Sequence, residues 1–237
     1  GLTGTGRMPD IQKIIDSVEI VLSGYKEDLQ NKKILVTAGP TYEDIDPVRF
    51  IGNRSSGKMG YQIAKAAYLR GAKVTLISGP SSEINYPEIK TIKIRSALEM
   101  KKAVDKEFSL NDYLIMSAAV ADYKPKKVSS KKIKKDSNFE NIDLENTEDI
   151  LSSLKKKNQK IIGFALETDN EIKSAQKKLK DKNLDMIILN SLKDKQSGFE
   201  FDTNKITIMH KSGKKINFPL QSKFQAANKI LTELLKL

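Results

Sequence analysis

Residues 34–80 read ILVTAGPTYEDIDPVRFIGNRSSGKMGYQIAKAAYLRGAKVTLISGP. An apolar run from Ile34 to Ala38 ends in glycine and proline, and a polar loop leads on to Asn53. From Gly57 a helical spacing carries Met59, Ile63, Ala66, Ala67 and Leu69 until Gly71 stops it. A second apolar run, Val74 to Ile77, ends at Ser78, Gly79 and Pro80. Strand, loop, helix, strand is one α/β unit. Strands that are apolar throughout point to burial on both faces of a parallel sheet.

The same alternation continues outward. Ile89 to Ile94 alternates like a strand nearer an edge, and Ser96 with Glu99 predicts a capped helix through Phe108. Tyr113 to Ala119 reads as another buried strand. Thr147 is expected to cap a helix through Lys156, followed by a strand over Lys160–Ala165, a lysine-rich helix over 170–182 and a strand over Leu184–Leu189. Lys205–Met209 and Lys215–Leu220 flank Ser212-Gly213 as an antiparallel edge hairpin. Ser222 with Gln225 opens a final helix whose Phe224, Ala227, Ile230, Leu231 and Leu234 face a core. The expectation is an α/β, Rossmann-like, mostly parallel sheet with helices on both faces and a C-terminal antiparallel hairpin. Thr37, Ser78, Ser117, Glu167 and Asn190 fall at the carboxyl ends of its strands, where ligands of open α/β sheets collect.

Ahead of this domain, residues 9–24 read as a helix with the apolar stripe Ile11, Ile14, Ile15, Val18 and Leu22. Residues 1–31 are therefore expected to form a detached helical arm and linker, and residues 32–237 the main domain. The stretch 124–143, rich in lysine and poor in apolar residues, is expected to be an irregular excursion.

Composition narrows the chemistry. The 237 residues carry 42 Lys and Arg against 30 Asp and Glu, a net charge of +12, with no Cys and one His. Disulfides and cysteine nucleophiles are excluded, and zinc sites or a Ser-His-Asp triad have only His210 to draw on. No run approaches the roughly 18 to 20 apolar residues of a membrane span. The opening GLTGTGRMPD lacks the basic and apolar regions of a secretory signal, so a cytoplasmic protein with no membrane partner is expected. The positive charge suits either a polynucleotide or a small phosphorylated substrate. Lysines such as Lys155, Lys156 and Lys157 read as a solvated face, and no nucleic-acid-binding module is evident.

Three clusters carry the candidate chemistry. In the first, Gly39 follows a buried strand, and Ser55, Ser56 and Gly57 stand at a helix N-terminus, where backbone N–H groups favour phosphate. Lys58 and Arg49 add charge there, while Asp44 and Asp46 read equally as loop structure or metal ligands. Neither GxxxxGK[ST] nor GxGxxG is present, which weakens a nicotinamide-dependent reductase, the main alternative. The second cluster is SAAVADYKPKKVSSKKIKK, 117–135. Ala118 and Ala119 let a base or ribose press on backbone, Asp122 suits Mg²⁺ held with a nucleotide, and Lys132 and Lys135 suit charge on a transferred group. The third is GFALETDN, 163–170, where Phe164 reads as core or as a face for a nucleobase. Asn190 and SGFEFDTN, 197–204, are weaker candidates to close a pocket, and His210 reads as ordinary surface.

The windows TAGPTYEDIDPVRFIGNRSSGKMG, SAAVADY, KIKK, GFALET and GFEFDTN, in this order, resemble phosphopantothenoylcysteine synthetase, the ligase part of the bacterial coenzyme A biosynthesis flavoprotein. The segment GTGRMPDIQKI resembles the tail of the decarboxylase fused ahead of that ligase. The resemblance implies coupling of 4'-phosphopantothenate to L-cysteine, with CTP and Mg²⁺, through an acyl-cytidylate, and a homodimer in which 124–143 crosses between subunits. It implies functional roles for Asn53, Arg49 and Lys132, an Mg²⁺-associated Asp122, a base-binding face at Ala118 and Ala119, and a nucleotide-pocket aromatic at Phe164.

Overall fold

The computed structural model describes residues 6, 8–22, 24–25, 27–135, 141–167, 169–191 and 201–237. Helix α1 (Ile11–Leu22) precedes the sheet. Strand β1 (Lys33–Ala38) is followed by a small hairpin, β2 (Tyr42–Asp44) and β3 (Phe50–Gly52), before α2 (Lys58–Leu69). Then come β4 (Lys73–Ser78), β5 (Lys90–Lys93), α3 (Ala97–Phe108) and β6 (Tyr113–Met116). A second small hairpin pairs β7 (Tyr123–Pro125) with β8 (Leu144–Asn146), ahead of the single turn α4 (Ile150–Ser153). The chain continues through β9 (Lys160–Glu167), α5 (Glu171–Asp181) and β10 (Met186–Ser191). Last come β11 (Thr203–Asn204), β12 (Ile206–His210), β13 (Lys215–Asn217), β14 (Gln221–Ser222) and α6 (Lys223–Leu234).

The central sheet runs β13-β12-β10-β9-β6-β1-β4-β5. From β10 to β5 every neighbouring pair is parallel, and β12 and β13 add the antiparallel edge expected from Ser212-Gly213. The chain winds from β1 to β4 and β5 on one side, then from β6 to β9 and β10 on the other. This places a switch point between β1 and β6, the crevice where doubly wound sheets hold ligands.

Alternate strand residues feed the two cores. Ile34 and Val36 pack with Ile63, Ala67, Ile230 and Leu231 of α2 and α6, while Leu35 packs on the other face with Met100 and Val104 of α3. This is the period of two that a strand imposes, satisfied on both faces. The Ser222–Gln225 capping box forms in full. At α3 the Ser96 hydroxyl accepts the Glu99 amide, while Glu99 reaches the Arg95 amide instead of completing the box.

Several expectations are corrected. The arm is docked: Ile20 and Asp16 are buried, and the Tyr86 hydroxyl donates to Asp16. The stripe Ile11, Ile15, Val18 and Leu22 faces solvent instead, because the polar Asp16–Tyr86 contact sets the rotation of the helix. Thr147 caps no helix. Its hydroxyl donates to Ala121 O at 2.6 Å, Asp149 is the N-cap, and α4 ends at Ser153. His210 is buried against Glu233 at 3.1 Å, so it is not surface. Within the stretch read as a loop, Tyr42–Asp44 pairs with Phe50–Gly52 as a small hairpin. The excursion stays irregular over 126–135, and Tyr123–Pro125 pairs with Leu144–Asn146 across its ends. Of the 124–143 and 197–204 stretches, 136–140 and 197–200 lie outside the described residues. Among the described residues no helix is long and apolar enough to cross a membrane.

Candidate functional site

A cavity of about 680 Å³ opens at the carboxyl ends of β6, β9 and β10, a size suited to a small ligand. Its floor is the loop Ser117–Asp122, where the chain leaves β6 at Met116, three residues earlier than the apolar run suggests. Threonines satisfy the backbone of that loop. Thr37 Oγ1 accepts the Ala118 amide at 3.2 Å and Thr41 Oγ1 accepts the Ala121 amide at 2.9 Å. With Thr147 on Ala121 O, the loop is fixed, and its small side chains leave the cavity open.

One wall is the start of α2. Ser55, Ser56, Gly57, Lys58, Met59 and Gly60 all line the cavity. Gly57 is required by its φ of +85°, and an added Cβ would sit 3.2 Å from the backbone of Gly39. Gly39, at φ +78°, in turn packs against the backbone of Gly79, so its demand for glycine comes from chain packing, and it does not line the cavity. Ser55 Oγ accepts the Gly57 amide at 3.3 Å. Met59 and Gly60 lie in the first helical turn, whose amides have no acceptor within the helix.

The opposite wall comes from Asn146–Leu151, Phe164–Leu166, Lys178 and Lys182. Lys178 donates to Phe164 O at 2.8 Å, and burial pulls its ammonium below the usual lysine range against the charges of Glu167 and Asp122. Lys182 pairs with Asp149. Asn190, Asn204 and Lys223 complete the lining. Lys223 is 4% exposed, and burial together with the Lys58 charge lowers its pKa to about 8, opposed by Asp202 and Glu83. Lys58 pairs with Asp202 at 2.6 Å, a hydrogen bond that raises the Lys58 pKa.

The cavity thus brings together Ser55, Ser56, Gly57, Lys58, Ala118, Ala119, Asp122 and Phe164 of the expected residues. Arg49, Asn53, Lys132 and Lys135 stand outside its lining. Asn53 donates to Ala119 O at 3.0 Å and Val120 O at 3.1 Å, holding the outer edge of the floor. Arg49 binds Asp46 and donates to Ile133 O at 2.6 Å, and Lys132 and Lys135 are solvent-exposed on that neighbouring loop. Asp44 pairs with Arg95 at 2.6 Å, and no cluster of three metal-ligating side chains occurs among the described residues.

Lys178, Lys182 and Lys223 were not anticipated. The signal for the first two is that Ala175, Lys178, Leu179 and Lys182 share one helix face, placing lysines beside residues that must be buried. Lys223 sits at the first position of α6, where the capping box hides its burial from a reading of periodicity.

Fold and site together define a doubly wound α/β ligand-binding domain, with its cavity at the switch point and a helix N-terminus and lysines in the wall. The chain belongs to the family described as DNA/pantothenate metabolism flavoprotein C-terminal domain, which it matches over residues 29–237. It is 48% identical over 244 residues to a cysteine/cysteine sulfinic acid decarboxylase from an unknown prokaryotic organism, covering 100% of this chain and 68% of that protein. It is 42% identical over 242 residues to the coenzyme A biosynthesis bifunctional protein CoaBC of Bacillus subtilis strain 168, covering 99% of this chain and 59% of the relative. A crystal structure of the C-terminal domain of CoaBC superposes with a TM-score of 0.75 at 44% identity, over 87% of this chain and 95% of that one. The chain therefore spans about six tenths of its CoaBC relative, and the family read from the sequence windows is upheld.

Proposed function

We propose that this chain is a phosphopantothenate–cysteine ligase that activates its acid substrate with CTP. The observation that carries the reading is the switch-point cavity, with the α2 helix end, Lys58 and Lys223 in its walls and an alanine floor, in a chain of this family. A helix N-terminus and ammonium groups suit a triphosphate, while Ala118 and Ala119 admit a flat base or ribose beside Phe164.

In the first step a carboxylate oxygen of 4'-phosphopantothenate attacks the α-phosphorus of CTP, and the bond to pyrophosphate breaks. In the second, the cysteine amine attacks the acyl carbon, CMP leaves with the carbonyl–oxygen electron pair, and the amine loses a proton. Activation replaces a hydroxide-like leaving group by a less basic phosphate ester. In this reading Lys132 stabilises charge at the α-phosphate, and Asn53 orients the acyl group.

Asp122 is exposed on the cavity floor, and a lone carboxylate fits Mg²⁺, which is commonly held by one or two carboxylates together with substrate phosphates. Bound there, the ion would offset negative charge on the nucleotide. Arg49 supports the Lys132 loop, and Lys135 adds positive charge to it.

The reading includes a homodimer. Val48, Phe50, Tyr123, Val128 and Leu144 are exposed apolar side chains on or beside the two small hairpins, of which β2 packs against β7. Such a patch is suited to a second copy. Sedimentation giving only monomer at substrate-binding concentrations contradicts this arrangement. The decarboxylase fused ahead of residue 32 in this reading would meet the outward stripe of α1. A nucleic acid or a membrane has no part in it.

The test supplies phosphopantothenate, cysteine and Mg²⁺ with CTP, ATP or NADPH and identifies products by mass. Phosphopantothenoylcysteine, CMP and pyrophosphate from the CTP reaction support the proposal. A reduced product made with NADPH, or carbon dioxide released from cysteine without ligation, overturns it.

A further inference from the structure

Asp46 holds two segments far apart in sequence. Its side chain has no solvent exposure. Oδ1 accepts the amides of Val48 at 2.8 Å and Arg49 at 2.9 Å, which closes the turn between β2 and β3. Oδ2 has a different task. It accepts the Ile133 amide at 3.1 Å and the Arg49 guanidinium at 2.6 Å. The same Arg49 nitrogen donates to Ile133 O at 2.6 Å, so both backbone groups of Ile133 are held. Upstream, the Ser129 amide donates to Ile45 O at 3.0 Å, and the Ser129 hydroxyl donates to Lys131 O at 2.6 Å. Lys132 lies between these two anchors, and both anchors are on the 45–49 turn.

A carboxylate that only capped a turn would use Oδ1 and leave Oδ2 to water. Here Oδ2 is directed at the peptide unit that joins Lys132 to Ile133. We propose that Asp46 is a positioning residue: it fixes that peptide unit and so sets where the Lys132 ammonium is presented to the reacting phosphate. The inference rests on the ligase reading for its catalytic consequence. Burial raises the Asp46 pKa, but the amides of Val48, Ile133 and Arg49 and the Arg49 guanidinium outweigh it and bring it to about 2, so the acceptor pair persists at working pH. Beyond the turn, β3 leads to Asn53, which grips the cavity floor at Ala119 and Val120. Asp46 therefore references the Lys132 loop to the frame of the cavity.

Asp46→Asn keeps the size of the side chain but replaces one acceptor by a donor, which must then face an amide or a guanidinium. Asp46→Ser keeps a turn-capping oxygen but is too short to reach Ile133. Both variants are to be measured for pyrophosphate release dependent on phosphopantothenate and CTP, alone and combined with Lys132→Gln. Amide exchange at Ile133 is followed in parallel, with thermal unfolding to confirm folding. The expected result is a fall in the rate of this step of about 10²-fold with nucleotide KM little changed, no further loss on top of Lys132→Gln, and faster exchange at Ile133. Losses that multiply in the double variants, or unchanged exchange at Ile133, overturn the proposal. A wild-type protein that ligates nothing ends the ligase reading and, with it, the catalytic role. Wild-type ligation with unimpaired Asp46 variants ends the positioning role alone.

Discussion

The Asn53 side-chain amide donates to the carbonyls of Ala119 and Val120, at 3.0 and 3.1 Å, and so ties the segment after the first small hairpin to the floor of the cavity. Asn53→Asp would set an anionic oxygen against two carbonyl oxygens. Binding of nucleotide at the α2 end should survive, while the acyl group loses its alignment. The expected outcome is formation of the acyl-nucleotide at a near-normal rate and a drop in its use by cysteine of roughly 10²-fold. Rapid-quench separation of pyrophosphate release from ligation checks this. Equal loss in both steps contradicts it.

Lys223 supplies a pH signature. Burial and the nearby Lys58 charge lower its pKa to about 8, so it carries its proton below pH 8 and loses it above. Its charged form attracts a triphosphate, so affinity for CTP should weaken as pH rises through about 8. Lys223→Met should bind CTP more weakly at pH 7 and lose that pH dependence. Calorimetric titration from pH 7 to 9 checks both, and an unchanged pH slope in the variant contradicts the assignment.

Stability is concentrated elsewhere. Arg70, fully buried at the end of α2, binds both oxygens of Asp28 at 2.8 and 2.7 Å and donates to Asn228 O at 2.9 Å, joining α2, α6 and the segment before β1. Arg70→Met takes the guanidinium from the Asn228 carbonyl, which keeps the Thr232 hydroxyl at 2.9 Å, while Asp28, partly exposed, regains water. The expected cost is about 2 kcal/mol, in the range for losing hydrogen bonds made by a charged group. It is read from urea midpoints at constant m. A change within about 0.5 kcal/mol, typical of neutral surface sites, contradicts the role given to Arg70.

The sheet was legible because its strands are apolar on both faces and its helices carry local stop and cap signals, as at Gly71 and Ser222. The phosphate-suited wall was legible for the same reason, since Ser55–Gly57 announce a helix start. What escaped the sequence depends on contacts between distant segments. The direction of the α1 stripe is decided by Tyr86, and the fate of Thr147 by Ala121. His210 is buried because Glu233 on α6 faces it. The small hairpins have strands of only three residues, too brief for periodicity to register. For Lys132 the sequence named the residue, but its anchoring by Asp46 joins positions on separate loops.

The most direct measurement is a crystal structure with CTP, Mg²⁺ and phosphopantothenate bound. The account predicts the triphosphate at Ser55–Gly60 beside Lys58 and Lys223, the base over Ala118 and Ala119, and Lys132 at the α-phosphate. Nucleotide bound away from the switch-point cavity, or Lys132 turned from the reacting phosphate in every subunit, would contradict it.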